Sequence, residues 1–238
     1  MRVLEELKAS GCGNLRSIQL SDRLTKLRVL NISGCFSLEQ LQSVEHLRSL
    51  EKLEASACQK LKSIKVSDQL TMLGELDVSG CYSLEELQGV EYLRSLEKFK
   101  VSGCEKLKSI KVSPQLTKLR ELDVSGCSSL EELQVVEHLR SLESLKACGK
   151  LKTIQMSDHW TEVREQDVSG CSDLEALPGV EYLKSLKKLK ASGCRKLKSI
   201  QGLHKLINLH ELDVAECFEL KELQGVKLAL QLGAKVCR

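Results

Sequence analysis

Aromatic side chains are scarce in this chain: one Trp, three Tyr and three Phe, 3% of 238 residues. A core of this size ordinarily takes much of its volume from such rings, so their scarcity argues for a small aliphatic unit used many times. Also missing is a run of 18 uncharged apolar residues, and the opening MRVLEELKAS has no apolar stretch of the kind that directs export. No charge of one sign dominates, with 36 Lys and Arg against 33 Asp and Glu and a net charge of +3. That balance gives no field to draw nucleic acid or an anionic membrane. No CxxC pair offers zinc-ligand spacing, and no GxxxxGK[ST] loop offers a phosphate cradle. A 42% hydrophobic content remains, enough to bury a core in one large domain or two small ones.

Eleven cysteines organise what is present. Cys12, Cys35, Cys58, Cys81, Cys104 and Cys127 fall 23 residues apart, as do Cys148, Cys171, Cys194 and Cys217; the step from Cys127 to Cys148 is 21, and only Cys237 stands outside the series. A fixed period of this length marks a solenoid, in which no unit buries its apolar face alone. Ten repeats over residues 4–223, an uncapped tail over 224–238 and no visible boundary make 1–238 a single domain. Each unit reads LxxLxVxxCxxLxxL, as in Leu119, Leu122, Val124, Cys127, Leu130 and Leu133. The two-residue step from Leu122 to Val124 predicts a short strand with Glu121, Asp123 and Ser125 facing the other way. The three-residue steps after Cys127 predict a tight, nearly 3₁₀ return. The expected fold is an α/β-class solenoid with a parallel sheet on its concave side, ten strands spanning roughly 45 Å at about 4.8 Å each, and short 3₁₀ or irregular turns outside.

A Ser-Gly-Cys triplet might be taken for a reactive thiol in a turn, but ten equivalent copies make no catalytic site. The marker Cys is expected inward at the corner, as a small side chain that tolerates burial and offers a weak donor to a turn carbonyl. Parallel Cβ vectors at strand spacing disfavour disulfides between neighbours, so the expectation is free thiols in a reducing compartment, with Cys237 in the tail the fast-reacting one. No metal and no cofactor is expected.

A second period of 46 residues lies over the first. Odd repeats are basic (CEKLKSIKVS) and even ones acidic (CSSLEELQVV). The outward strand positions run Lys98 and Lys100, Glu121 and Asp123, Ser144 and Lys146, Glu165 and Asp167, Lys188 and Lys190. Two readings stand open: a self-paired ladder that fixes register, or a striped surface that matches a partner's charges. His46, Tyr92, His138 and Tyr182 share one position on even repeats and are expected to face solvent. Asn31-Ile32-Ser33 falls on a predicted strand and is read as a chance sequon. One stretch breaks the pattern. The unit around Cys148 lacks Ser-Gly before its Cys, Trp160 replaces the Leu or Ala of nine other units, and Gln166 takes an inward Leu or Phe position. Either drift has damaged this stretch or the stack bends here to admit a ligand.

The unit resembles a leucine-rich repeat with Cys at the usual Asn position. Its LxLSGCxxLxxL form resembles the repeats of plant intracellular immune receptors of the TIR and nucleotide-binding class. That resemblance implies the ligand-sensing and autoinhibitory arm of a disease-resistance receptor in the cytoplasm or nucleus. It further implies a pathogen effector or guarded host protein, and the receptor's other domains, as partners. Alternatives are the substrate arm of an F-box ubiquitin ligase or a free-standing binding module; no converging acid, base and nucleophile supports an enzyme. Apolar end units without caps would be expected to self-associate.

Overall fold

A computed structural model describes residues 4–134, 136–223 and 235–237. Eleven short strands pair in parallel to form the main sheet, from Glu6–Lys8 and Val29–Asn31 through Glu121–Val124 and Ser144–Ala147 to Glu211–Asp213 and Lys235–Cys237. Each strand as far as Glu211–Asp213 carries one central inward side chain between two outward ones, which are polar everywhere except at Val29. Leu7, Leu30, Leu53, Leu76, Phe99, Leu122, Leu145, Gln166, Leu189 and Leu212 therefore form one column in direct register. The last strand corrects the expectation of a tail without one: Lys235–Cys237 pairs with Glu211–Asp213. The 224–234 stretch of the expected uncapped tail lies outside the described residues.

The chain leaves each strand at the Ser-Gly-Cys corner, where the residue before the Cys adopts φ between 69 and 77° at seven glycines. Left-handed backbone costs an L side chain roughly 1–2 kcal/mol, which is why glycine recurs there. Ala57 (φ 57°) and Glu216 (φ 58°) hold the same position without that freedom. Ala57→Gly is therefore expected to raise stability by about 1 kcal/mol, net of glycine's larger unfolded-state entropy. Urea unfolding checks it, and an unchanged or lowered midpoint would show that the corner carries no strain.

A second layer of three-residue strands, unforeseen in the sequence, closes the return side. Ser17–Gln19 pairs with Gln40–Gln42, Ser63–Lys65 with Glu86–Gln88, and Ser109–Lys111 with Glu132–Gln134, each basic or neutral odd strand beside its even neighbour. In these three pairs the 46-residue unit is paired within itself, whereas the isolated bridge of Ala176 with Ser199 crosses from one unit to the next. After the even strands come 3₁₀ turns at Val44–His46, Val90–Tyr92, Val136–His138 and Val180–Tyr182. No α-helix occurs among the described residues, so the returns are as tight as the three-residue apolar steps require. Between the layers runs one continuous aliphatic core.

The marker cysteines build a ladder inside that core. Each thiol donates to the carbonyl that ends the preceding repeat's strand: Cys104 Sγ to Val78 O at 3.3 Å, Cys127 Sγ to Val101 O at 3.2 Å, Cys194 Sγ to Val168 O at 3.1 Å. Five further thiols, from Cys35 to Cys217, do the same. The thiol supplies the donor that a turn carbonyl would otherwise lack, in the small volume a corner allows.

Candidate recognition surface

On the outer face of the main sheet the register brings the predicted charges together: Lys98 and Lys100 lie beside Glu121 and Asp123, Ser144 and Lys146 beside Glu165 and Asp167, and these beside Lys188 and Lys190. The ion pairs are diagonal as often as direct. Lys100 Nζ reaches Glu121 at 3.3 Å, Lys190 reaches Glu165 at 3.4 Å, and Lys98 joins Lys52 on Glu75 at 3.4 and 3.0 Å. Glu54 and then Glu75 hold the Lys52 ammonium above its ordinary pKa, and Lys52 holds the Glu75 carboxyl below its own.

The aspartates do something else, which corrects the reading of Asp123 as a rung between two lysines. Asp123 Oδ1 accepts from the Ser125 backbone N–H at 3.0 Å and from its hydroxyl at 2.6 Å, and Asp77, Asp167 and Asp213 accept from the backbone two residues on in the same way. These are Asx turns that start the Gly corner. Lys146 makes no ion pair among the described residues. Much of the striped face is thus satisfied internally by exposed pairs worth about 0–1 kcal/mol each.

The irregular repeat has a structural explanation. Ala147 pairs with Val124, so Cys148 and Gly149 stand where Ser125 and Gly126 stand one repeat earlier. What the 21-residue unit lacks is the marker position itself. Cys148 is therefore not a tenth member of the ladder, as its spacing suggested. It donates to no carbonyl among the described residues, and it is half-buried where the interior ladder thiols are buried. Gly149 (φ 127°) closes the shortened corner, where a Cβ would sit 2.5 Å from the Cys127 carbonyl oxygen. Cys171 beside it and the backbone N–H groups of Gly126 and Gly149 lower the Cys148 thiol against the opposing effect of burial; with the Cys171 proton given to the Ala147 carbonyl, the two amides are the donors left to a Cys148 thiolate. Burial pushes Cys104, Cys127 and Cys194 up to about 12.

Iodoacetamide is accordingly expected to alkylate native Cys148 at a lower pH than an ordinary thiol requires, while Cys104, Cys127 and Cys194 stay unmodified. Peptide mapping separates it from Cys12, which is exposed. Labelling of Cys148 no faster than of Cys104 would refute the perturbed thiol. The expected reactivity of Cys237 concerns a side chain outside the described residues.

Gln166 and Trp160 are both fully buried. Neither the Gln166 amide nor the Trp160 indole N–H has a hydrogen-bond partner among the described residues.

A third feature escaped the sequence reading. Of seven aromatic residues only Phe99 and Trp160 are core; Phe36, Tyr82, Tyr92, Tyr182 and Phe218 are exposed. Two rows result, both on even repeats. Phe36, Tyr82 and Phe218 follow marker cysteines at the first corner. His46, Tyr92, His138 and Tyr182 end the 3₁₀ turns at the opposite corner and face solvent, as expected. Two of this second row border depressions at equivalent positions, about 540 Å³ with Ser21, Asp22, Ser43 and His46 and about 640 Å³ with Ser67, Asp68, Gly89 and Tyr92; His138 borders a third, differently walled one of about 460 Å³ with Pro114, Thr117 and Arg140. The findable signal was an aromatic-poor chain placing its few rings where its own pattern needs no apolar residue. Exposed rings in water-accessible hollows are the side chains that interfaces favour.

Comparison with known proteins agrees with the fold. A BspA-type leucine-rich-repeat region model matches six copies over residues 9–88 and 56–175. No curated protein sequence matches the chain. Among solved structures, internalin InlF from Listeria monocytogenes is 16% identical with a TM-score of 0.53, covering 93% of this chain and 86% of that one. The leucine-rich-repeat domain of the type III effector XopL is 18% identical with a TM-score of 0.56, over 99% and 76% of the two chains. At these identities the likeness is one of fold. With the family model spanning well over half its length, the chain belongs to the BspA-type leucine-rich-repeat family.

Proposed function

We propose that this scaffold is a non-catalytic protein-recognition module, and that it serves as the ligand-sensing and autoinhibitory arm of a plant intracellular defence receptor in the cytoplasm or nucleus. The observation that carries recognition is the row of rings over hollows on a chain otherwise nearly free of aromatics. The plant assignment rests on the Ser-Gly-Cys form of the repeat. A reducing compartment accords with eight thiols employed as S–H donors, a role that oxidation would abolish. Its partners are then a pathogen effector or guarded host protein, and the nucleotide-binding region of the receptor.

Co-expression in leaf cells with the TIR and nucleotide-binding portion of such a receptor tests this. Co-precipitation and suppression of its cell-death signal are expected, with Tyr92→Ala and Tyr182→Ala weakening capture of an effector while leaving the fold intact. Absence of any association in that setting would overturn the receptor reading.

A further inference from the structure

We propose that the row His46, Tyr92, His138 and Tyr182 binds a proline-rich segment in polyproline II conformation, with basic residues seated beside Tyr92. This rests on the recognition reading and names its ligand. The first two rings border hollows whose walls correspond residue for residue, Ser21 with Ser67, Asp22 with Asp68 and Ser43 with Gly89, while the hollow at His138 shares only the Pro114 position with them and is otherwise walled by Thr117 and Arg140. A row of rings at a constant interval calls for a ligand that repeats at the same interval.

Consecutive rings are two repeats apart, roughly 10 Å at strand spacing. A polyproline II chain returns the same face every three residues, about 9.3 Å. A β-strand returns its face every two residues, about 6.7 Å, and falls out of step at the first interval. A helix seven residues on comes near the spacing, at about 10.5 Å, but needs a continuous apolar groove. Here the surface between rings is polar, the intervening repeats carrying exposed Gln69, Gln115 and His159 at the ring position.

The side-chain chemistry suits the same ligand. Tyr and His rings present flat apolar faces to pyrrolidine rings, and the tyrosine hydroxyl donates to carbonyls that a polyproline II backbone leaves unpaired. Tyr92 is 54% exposed and Tyr182 45%, so both faces are reachable. Around Tyr92, Asp68, Glu85, Glu86 and Glu91 outnumber Lys65 and Lys111, which places Arg or Lys of the ligand there.

Fluorescence anisotropy with labelled Arg-flanked oligoproline peptides of increasing length tests the proposal. Affinity is expected to rise with each three residues added and to level off near about 10–12 residues, the length that spans four rings at 3.1 Å per residue. Tyr92→Ala and Tyr182→Ala should each weaken binding about tenfold or more, while Phe36→Ala and Tyr82→Ala, at the opposite corner, should not. Circular dichroism shows that each variant is folded. Binding no tighter than that of a glycine-interrupted peptide of equal charge would overturn the proposal, as would equal losses in Tyr82→Ala and Tyr92→Ala. Capture of a proline-free protein, a helical peptide or a glycan through the same tyrosines, with no response to oligoproline, would sink this ligand and leave recognition by the rings standing. Loss of every partner's dependence on the rings would sink both.

Discussion

Replacing Leu122 with Ala is expected to lower the unfolding free energy by about 2–5 kcal/mol. Leu122 is fully buried and stands in register between Phe99 on one strand and Leu145 on the next. Truncation removes transfer energy, about 25 cal/mol per Å² of apolar area, and leaves a cavity that the neighbours fill poorly because strand hydrogen bonds fix their backbones on both sides. Leu76→Ala is expected to cost as much, since Leu76 is 1% exposed between Leu53 and Phe99. Leu7 heads the same column but is only partly buried, so Leu7→Ala should cost clearly less. Urea midpoints at unchanged slope measure all three. Equal losses at Leu7 and Leu122 would mean that the stack gains nothing from having neighbours on both sides, contrary to the repeat architecture.

That column was readable because its signal is redundant: the same step from a central Leu to Val, Ala or Ile two residues on recurs at almost every repeat and stacks in register. The return strands were less legible. Ser17–Gln19 or Ser63–Lys65 carries one inward isoleucine between polar residues, too short a pattern to tell from a tight turn. The Asx turns were legible in principle, since Asp77, Asp123 and Asp167 each stand two residues before a serine at the corner. Counting charges concealed them, because an Asp between lysines looks like a salt-bridge partner. Cys148 misled for a similar reason. Spacing alone assigned it to the ladder, whereas the pairing of Ala147 with Val124 assigns it to the serine position. The hollows depend on which side chains meet across repeats, and only the excess of exposed rings hinted at them.

Gln166→Leu is expected to stabilise the protein by about 1–3 kcal/mol, the usual cost of leaving a buried polar group unbonded. Its side chain is fully buried between Leu145 and Leu189, and both its amide oxygen and its amide nitrogen lack partners among the described residues. Leucine at this position restores the column that runs unbroken on either side, at nearly the same volume and with no donor or acceptor to desolvate. Trp160, in the same repeat, carries a second unbonded group in its indole N–H, so the departures of this repeat from the pattern concentrate their cost here. Drift and a ligand-admitting bend predict opposite signs. If the two side chains are merely tolerated, Gln166→Leu raises the urea midpoint and Trp160→Leu moves it independently, so that the double variant is additive. If the amide and indole share a buried water that completes their hydrogen bonds, Gln166→Leu lowers the midpoint, and the pair shows coupling of about 0.5–3 kcal/mol. A loss of stability on Gln166→Leu would therefore refute the stabilisation predicted here and mark the irregular repeat as a polar site preserved inside an otherwise aliphatic solenoid.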